Sequence, residues 1–170
     1  MKGFLLQIWS YLPAWLQRLA AVIVVPRYQV VAGALIFNEQ GQLLLCKHTY
    51  RRDAPWGLPG GHLEFGEDPS EAVRRELMEE TGFSVGASEL LLVEGSHEAR
   101  KVILTYLCSG VSGAFTQNEE VSQIQYFDLA SLPPLRSEEQ KTVEKALAIL
   151  KKSNRMESVY LVRERPDDRV

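Results

Sequence analysis

The chain has 170 residues and a mass of 19.2 kDa, enough for one compact domain with little to spare. Apolar residues make up 45% and charged residues 24%, which excludes a largely disordered chain. Nineteen Lys and Arg against 22 Asp and Glu leave a net charge of −3, so no basic excess points to a nucleic-acid polymer as partner. The two cysteines, Cys46 and Cys108, cannot staple a disulfide scaffold and read as reduced core thiols of a cytoplasmic protein.

Residues 1–25 form an apolar extension. In the run from Phe4 to Val25, 17 of 22 residues are apolar. Gln7, Ser10, Gln17 and Arg18 interrupt it, and Pro13 would break a continuous helix, which argues against a membrane span or a signal peptide. The pattern predicts a helix from Pro13 to about Ala20, with Ser10 as candidate cap. Leu12, Trp15, Leu16 and Leu19 share one face, expected to pack on the domain or on a second subunit of a homodimer. Contact with a membrane surface is the less favoured alternative.

The main domain is expected over residues 26–153. Val30 to Phe37 reads as a strand, Asn38 to Gly41 as a turn, and Gln42 to His48 as a second strand, together predicting a hairpin. A polar loop from Thr49 to Pro55 precedes a glycine-rich, bent strand from Trp56 to Leu63. A helix is predicted from Asp68 to Thr81. Strands follow at Leu90 to Val93, Val102 to Cys108 and Ile124 to Phe127. Ser137 and Gln140 suggest a capping box opening a last helix, with Val143, Ala146, Leu147 and Leu150 as its buried stripe. Residues 154–170 form a charged tail. Strands and helices without regular alternation predict an α/β fold, an α/β/α sandwich around a mixed sheet.

The helix from Asp68 carries the chemistry. Asp68 is its expected N-cap with Glu71 completing a D-x-x-E pattern, Pro69 fills its first turn, and Gly82 can end it. At about 100° per residue, Glu80 falls roughly 40° to one side of Glu76 and Glu79 roughly 60° to the other. Two carboxylates about 4 Å apart repel by about 4 kcal/mol at an effective dielectric near 20. Arg75 neutralises part of that charge, and a hard divalent cation such as Mg²⁺ would offset the rest. On charges alone, a solvated acidic helix face explains the pattern as well.

The spacing decides between them. Gly61, five residues, Glu67, seven residues, then Arg75-Glu76-Leu77-Met78-Glu79-Glu80-Thr81-Gly82-Phe83 fills every position of the Nudix box, G-x5-E-x7-R-E-U-x-E-E-x-G-U with U a bulky apolar residue. Its seven fixed residues would recur by chance about once in 10⁸ starts. The sequence therefore resembles the Nudix hydrolase family over about Val30 to Leu150. The resemblance implies the sandwich fold, with the box as loop–helix–loop. It implies hydrolysis of a pyrophosphate bond in a nucleoside diphosphate derivative or nucleoside triphosphate, with Mg²⁺ or Mn²⁺ and a small-molecule nucleotide as substrate. By position, Glu76, Glu79 and Glu80 would be metal ligands or, for one of them, the base. The Gly61 carbonyl would add a ligand, Arg75 would orient the glutamates, and Glu67 would brace the loop. Glu120 is the candidate for a further carboxylate from outside the box. A nucleotide-sensing module with little turnover is the alternative. Substrate contacts are expected from Tyr50, Arg51 and Arg52 on the loop before Trp56, and from Arg100 with Lys101. His48, His62 and His97 lack a metal-ligand spacing. The family's usual substrate-class markers are missing: Ser96 to Arg100 stands where ADP-ribose hydrolases often carry a proline.

Overall fold

The computed structural model describes residues 12–24, 27–96, 100–153 and 155. Ser10, His97 and, apart from Arg155, the tail lie outside the described residues. The first helix, α1, spans Ala14–Val24. The Leu16 and Gln17 amides donate to the Pro13 carbonyl, so Pro13 opens it as expected. It runs past Ala20 because nothing in Ala20 to Val24 breaks a helix before Pro26. On its predicted apolar face Trp15 and Leu19 are 66% and 52% exposed, while Leu12 and Leu16 are part-buried. No helix among the described residues is long and apolar enough to cross a membrane.

Among the described residues seven strands follow: β1 Gln29–Ile36, β2 Leu43–His48, β3 Trp56–Gly57, β4 Gly60–His62, β5 Phe83–Ser96, β6 Lys101–Gly113 and β7 Val121–Phe127. They form two sheets, ordered β4-β1-β6-β5 and β3-β2-β7. The first is mixed, since β1 runs parallel to β6 and antiparallel to β4. The expected β1–β2 hairpin is not paired as a ladder: among the described residues a single Phe37–Leu43 bridge joins their ends, and the two strands belong to different sheets. The apolar run of β1 suits a central strand covered on both faces, and parallel pairing to β6 uses it that way. The turn itself is as read, with the Asn38 side chain accepting from the Gln40 and Gln42 amides.

The bent strand expected from Trp56 to Leu63 is divided. Its first half pairs with β2 and its second with β1, so Leu58-Pro59 carries the chain from one sheet to the other. Strands β5 and β6 are far longer than their apolar cores predicted, because the ladder from Phe83–Gly113 to Ser96–Lys101 also recruits Ser, Gly and Glu.

Helix α2 spans Pro69–Thr81 and α3 spans Ser137–Lys152. Alternate residues of the central strands decide which helix they meet. Ala32, Ala34, Ile36 and Leu44 pack with Ala72, Val73 and Leu77 of α2. Leu35, Leu43 and Leu45 pack with Val143 and Ala146 of α3. This two-sided burial is the α/β/α sandwich. The capping box at α3 is not formed. Arg136 occupies the N-cap without a side-chain bond, and Gln140 donates to Glu144 instead. Glu138 and Glu139 in the first turn supply the favourable charge there.

Candidate active site

The site is built on α2 and the loop before it. Asp68 caps the helix by accepting from the Ser70 amide at 2.8 Å, and Gly82 ends it at φ 73°. Glu71 plays no reciprocal capping part; its backbone amide donates to the Asp68 carbonyl. With both ends held, the side chains of one helical arc face the β4 segment.

Arg75 is the hub of the acidic arc. Its Nε and Nη2 donate to the two oxygens of Glu67 at 2.9 and 3.0 Å. Its Nη1 donates to Glu76 at 2.9 Å and to Glu79 at 3.2 Å. The Glu67 carboxylate also accepts from the Glu64 amide, so the loop is braced to the helix as expected. These bonds hold the Glu67 carboxyl below the usual range, first through Arg75 and then through Glu64. Burial pushes Glu76 upward, against the pull of Arg75, and the charges of Glu79 and Glu120 add to the rise.

Glu80 lies outside the reach of Arg75. Only 3% of it is exposed, and its carboxylate accepts from the Gly60 amide at 2.8 Å. Burial raises its pKa to about 8, the Gly60 bond opposes this, and Glu76 and Glu120 add to it. His48 Nδ1 stands 3.6 Å away, too far for a hydrogen bond. Burial, with the cations Arg51 and Arg136, lowers the His48 pKa to about 4, so the ring is neutral and forms no ion pair with Glu80.

Gly60 and Gly61 let the backbone approach this arc. Gly60 has φ +141°, and a Cβ there would stand 2.2 Å from the Ala32 carbonyl. A Cβ on Gly61 would stand 2.4 Å from the carboxyl carbon of Glu76. The Gly61 backbone is thus pressed against a ligand-type oxygen pair, a cradle that any side chain would fill.

Beyond Gly60 the wall opens into a cavity of about 140 Å³. Arg51, Thr105, Lys101, Arg136 and Glu139 line it. Arg51 is the loop residue that reaches it, yet its Nη1 is held between both oxygens of Glu139 at 2.9 Å. The Arg51 Nε and the Thr105 hydroxyl are buried there without a hydrogen-bond partner. Tyr50 is 59% exposed, with its ring 5.7 Å from the Arg51 guanidinium. Arg52 is exposed at a bend and does not line the cavity. Arg100 is likewise absent from the lining: it is exposed at a tight turn with φ 49°, and its neighbour Lys101 takes the place.

Glu120 is exposed but acts electrostatically on both Glu76 and Glu80. The residues that sequence reasoning missed are Glu139, Arg136 and Asn118. The Asn118 side chain bonds the carbonyls of Glu79 and Glu80 and the amides of Glu120 and Val121. An Asn directly before an acidic pair is a turn signal that was available in the sequence.

Glu76, Glu79, Glu80 and Glu120, with the Gly61 carbonyl, offer oxygen donors of the type that Mg²⁺ or Mn²⁺ prefers. Among the described residues, no three such side chains converge into a ready-made cage. Arg75 supplies the counter-charge to Glu76 and Glu79, and Gly60 holds Glu80 aside. The cradle at Gly61 and the carboxyls of Glu76 and Glu80, both raised first by burial and then by neighbouring carboxylates, fit a divalent cation.

A model of the NUDIX domain matches residues 27–147. The ADP-ribose pyrophosphatase of Methanocaldococcus jannaschii is 29% identical over 125 residues, covering 69% of this chain and 72% of that protein. The chain spans 52% and 40% of two further curated relatives. Among solved structures, the MutT NUDIX hydrolase of Burkholderia pseudomallei is 30% identical, with a TM-score of 0.61 over 69% of this chain and 97% of that one. An ADP-ribose pyrophosphatase from Streptococcus suis is 29% identical, with a TM-score of 0.63 over 74% and 91%.

Proposed function

The chain belongs to the Nudix family of hydrolases, and from that premise we propose that it cleaves a pyrophosphate bond in a nucleoside diphosphate derivative or nucleoside triphosphate. The observation that carries this reading is the shared position of Gly60. Its amide holds the buried Glu80, and its backbone lines the adjoining cavity. A substrate seated in the cavity therefore places its phosphates against the acidic arc. Lys101 and Arg136 meet its negative charge at the wall. Arg51, already matched by Glu139, offers a hydrogen-bond donor at Nε rather than a free charge.

Glu76, Glu79, Glu80 and the Gly61 carbonyl would hold Mg²⁺ or Mn²⁺, with Glu120 as a further ligand or base. The bound cations would neutralise the diphosphate and make a bound water acidic enough to attack phosphorus in line. One carboxylate of the arc accepts that water's proton. Arg75 keeps Glu76 and Glu79 aimed, and Glu67 keeps Arg75 in place. The buried thiols Cys46 and Cys108 suit a reducing compartment, the cytoplasm.

The test is a panel of nucleoside diphosphate derivatives and triphosphates with Mg²⁺, followed by released nucleoside monophosphate or phosphate. ADP-ribose heads the panel, since two of the relatives above carry that activity in their names. Turnover of at least one compound, lost in Glu79→Gln and Glu80→Gln, is the expected result. Unchanged rates in both variants would refute the assignment.

A further inference from the structure

Asn118 occupies the gap between the end of α2 and the start of β7. Its Nδ2 donates to the carbonyls of Glu79 at 2.8 Å and Glu80 at 3.0 Å. Those carbonyls belong to the last turn of the helix, where no intrahelical partner remains. Its Oδ1 accepts from the Glu120 amide at 2.9 Å and the Val121 amide at 2.7 Å. Carbonyls on one side and amides on the other leave a single orientation for the side-chain amide. The segment is pinned from its other flank as well. The Thr49 amide donates to the Glu120 carbonyl at 2.9 Å, and the Thr49 hydroxyl donates to the Glu119 carbonyl at 2.6 Å.

Gly82 bonds the Met78 carbonyl, so Asn118 caps the two carbonyls after it while its Oδ1 holds the next segment. What the four bonds achieve is a fixed position for the Glu120 backbone relative to the backbone of Glu79 and Glu80, with the exposed Glu120 side chain starting from that point. This ties a further acidic residue to the helix end that already carries Glu76, Glu79 and Glu80. A latch that ties the segment of a fourth acidic residue to the helix bearing three others has a purpose where a cation draws their carboxylates together. We propose that Asn118 is a positioning residue that locks Glu120 to the C-terminal turn of the box helix and so sets the fourth carboxylate of a divalent-cation site. The proposal rests on the metal-centre reading given above.

The experiment is a Mn²⁺ titration of the full chain, followed by electron paramagnetic resonance, for wild type, Asn118→Ala, Glu120→Gln and the double variant. Each single substitution is expected to weaken Mn²⁺ binding by about 10- to 100-fold, the usual scale for losing a residue that orients a ligand. The double variant is expected to bind no more weakly than Glu120→Gln, because Asn118 acts through Glu120. Asn118→Asp keeps the acceptor but sets an oxygen against the two helix carbonyls, so it is expected to weaken binding as well. It carries the comparison if Asn118→Ala does not fold by circular dichroism. Binding within twofold of wild type in the Asn118 variants overturns the latch. So does a double variant whose loss is the product of the two single losses. Wild type that binds no Mn²⁺ overturns the metal centre itself, and the latch with it. The two failures are thus distinct.

Discussion

Replacing Glu80 by Gln separates the cost of burying this carboxyl from everything else in the site. A carboxyl that titrates near 4.5 in the unfolded chain and near 8 when folded loses about 5 kcal/mol when both states are ionised. The sign follows from the direction of the change. The folded protein holds the Glu80 proton more tightly, so its stability is full below about pH 4.5 and declines as pH rises toward 8. Above that it levels off. The amide introduced by Glu80→Gln carries no charge at any pH and still accepts from the Gly60 amide. In urea unfolding with EDTA, Glu80→Gln and wild type should therefore match near pH 4 and diverge with rising pH. The gap should reach about 5 kcal/mol at pH 9, a large share of the roughly 5–15 kcal/mol that holds a domain folded. Added Mn²⁺ at pH 9 should restore wild type and leave Glu80→Gln almost unmoved. Parallel pH curves for the two proteins would refute the reasoning, because they would mean that Glu80 ionises in the fold as freely as outside it.

Three further changes test the frame around the arc. Gly60→Ala forces a Cβ to within 2.2 Å of the Ala32 carbonyl at φ +141°, and should cost about 3 kcal/mol, seen as a thermal midpoint lower by roughly 6–10 °C. Glu139→Ala leaves the Arg51 guanidinium nine-tenths buried without its counter-ion and should cost about 3–5 kcal/mol in urea unfolding, whereas the paired replacement Arg51→Met with Glu139→Leu should cost much less. Arg75→Gln frees Glu67, Glu76 and Glu79 together and should cut turnover by about 100-fold while the circular dichroism spectrum is retained, which a kinetic assay on the best panel substrate would check.

The box helix was legible in the sequence because every device that bounds it is local. Asp68, Pro69 and Gly82 act within one turn, and the chain needs nothing distant to place them. Gly61, Glu67 and Arg75 were legible for a different reason: their spacing is specific enough to stand alone. The β1–β2 hairpin failed because Asn38 to Gly41 describes a turn and not a pairing. Which neighbour β1 takes depends on β6, far along the chain, and no local pattern encodes that. The outer halves of β5 and β6 failed because Ser84, Ser88 and Glu89 pair through backbone bonds that composition does not report. Arg51 was legible as a residue of the site, but its partner was not. Glu139 sits 88 positions later and meets Arg51 only once α3 has packed on its sheet.

The acidic arc itself shows how one helix gives like residues different properties. Glu76, Glu79 and Glu80 lie within one sector of about 100° and differ in what borders it. Glu79 is on the outer side, 60% exposed, and reaches Arg75 across one turn. Glu76 is at the centre, held by Arg75 and pressed against the Gly61 backbone. Glu80 is on the side of Val73 and Leu77, so the packing that buries those two buries it as well. The periodicity alone orders the three by burial, since Glu80 is the member nearest the apolar stripe. What it cannot order is which carboxylate the arginine serves, because Arg75 chooses by reach and stops at Glu76.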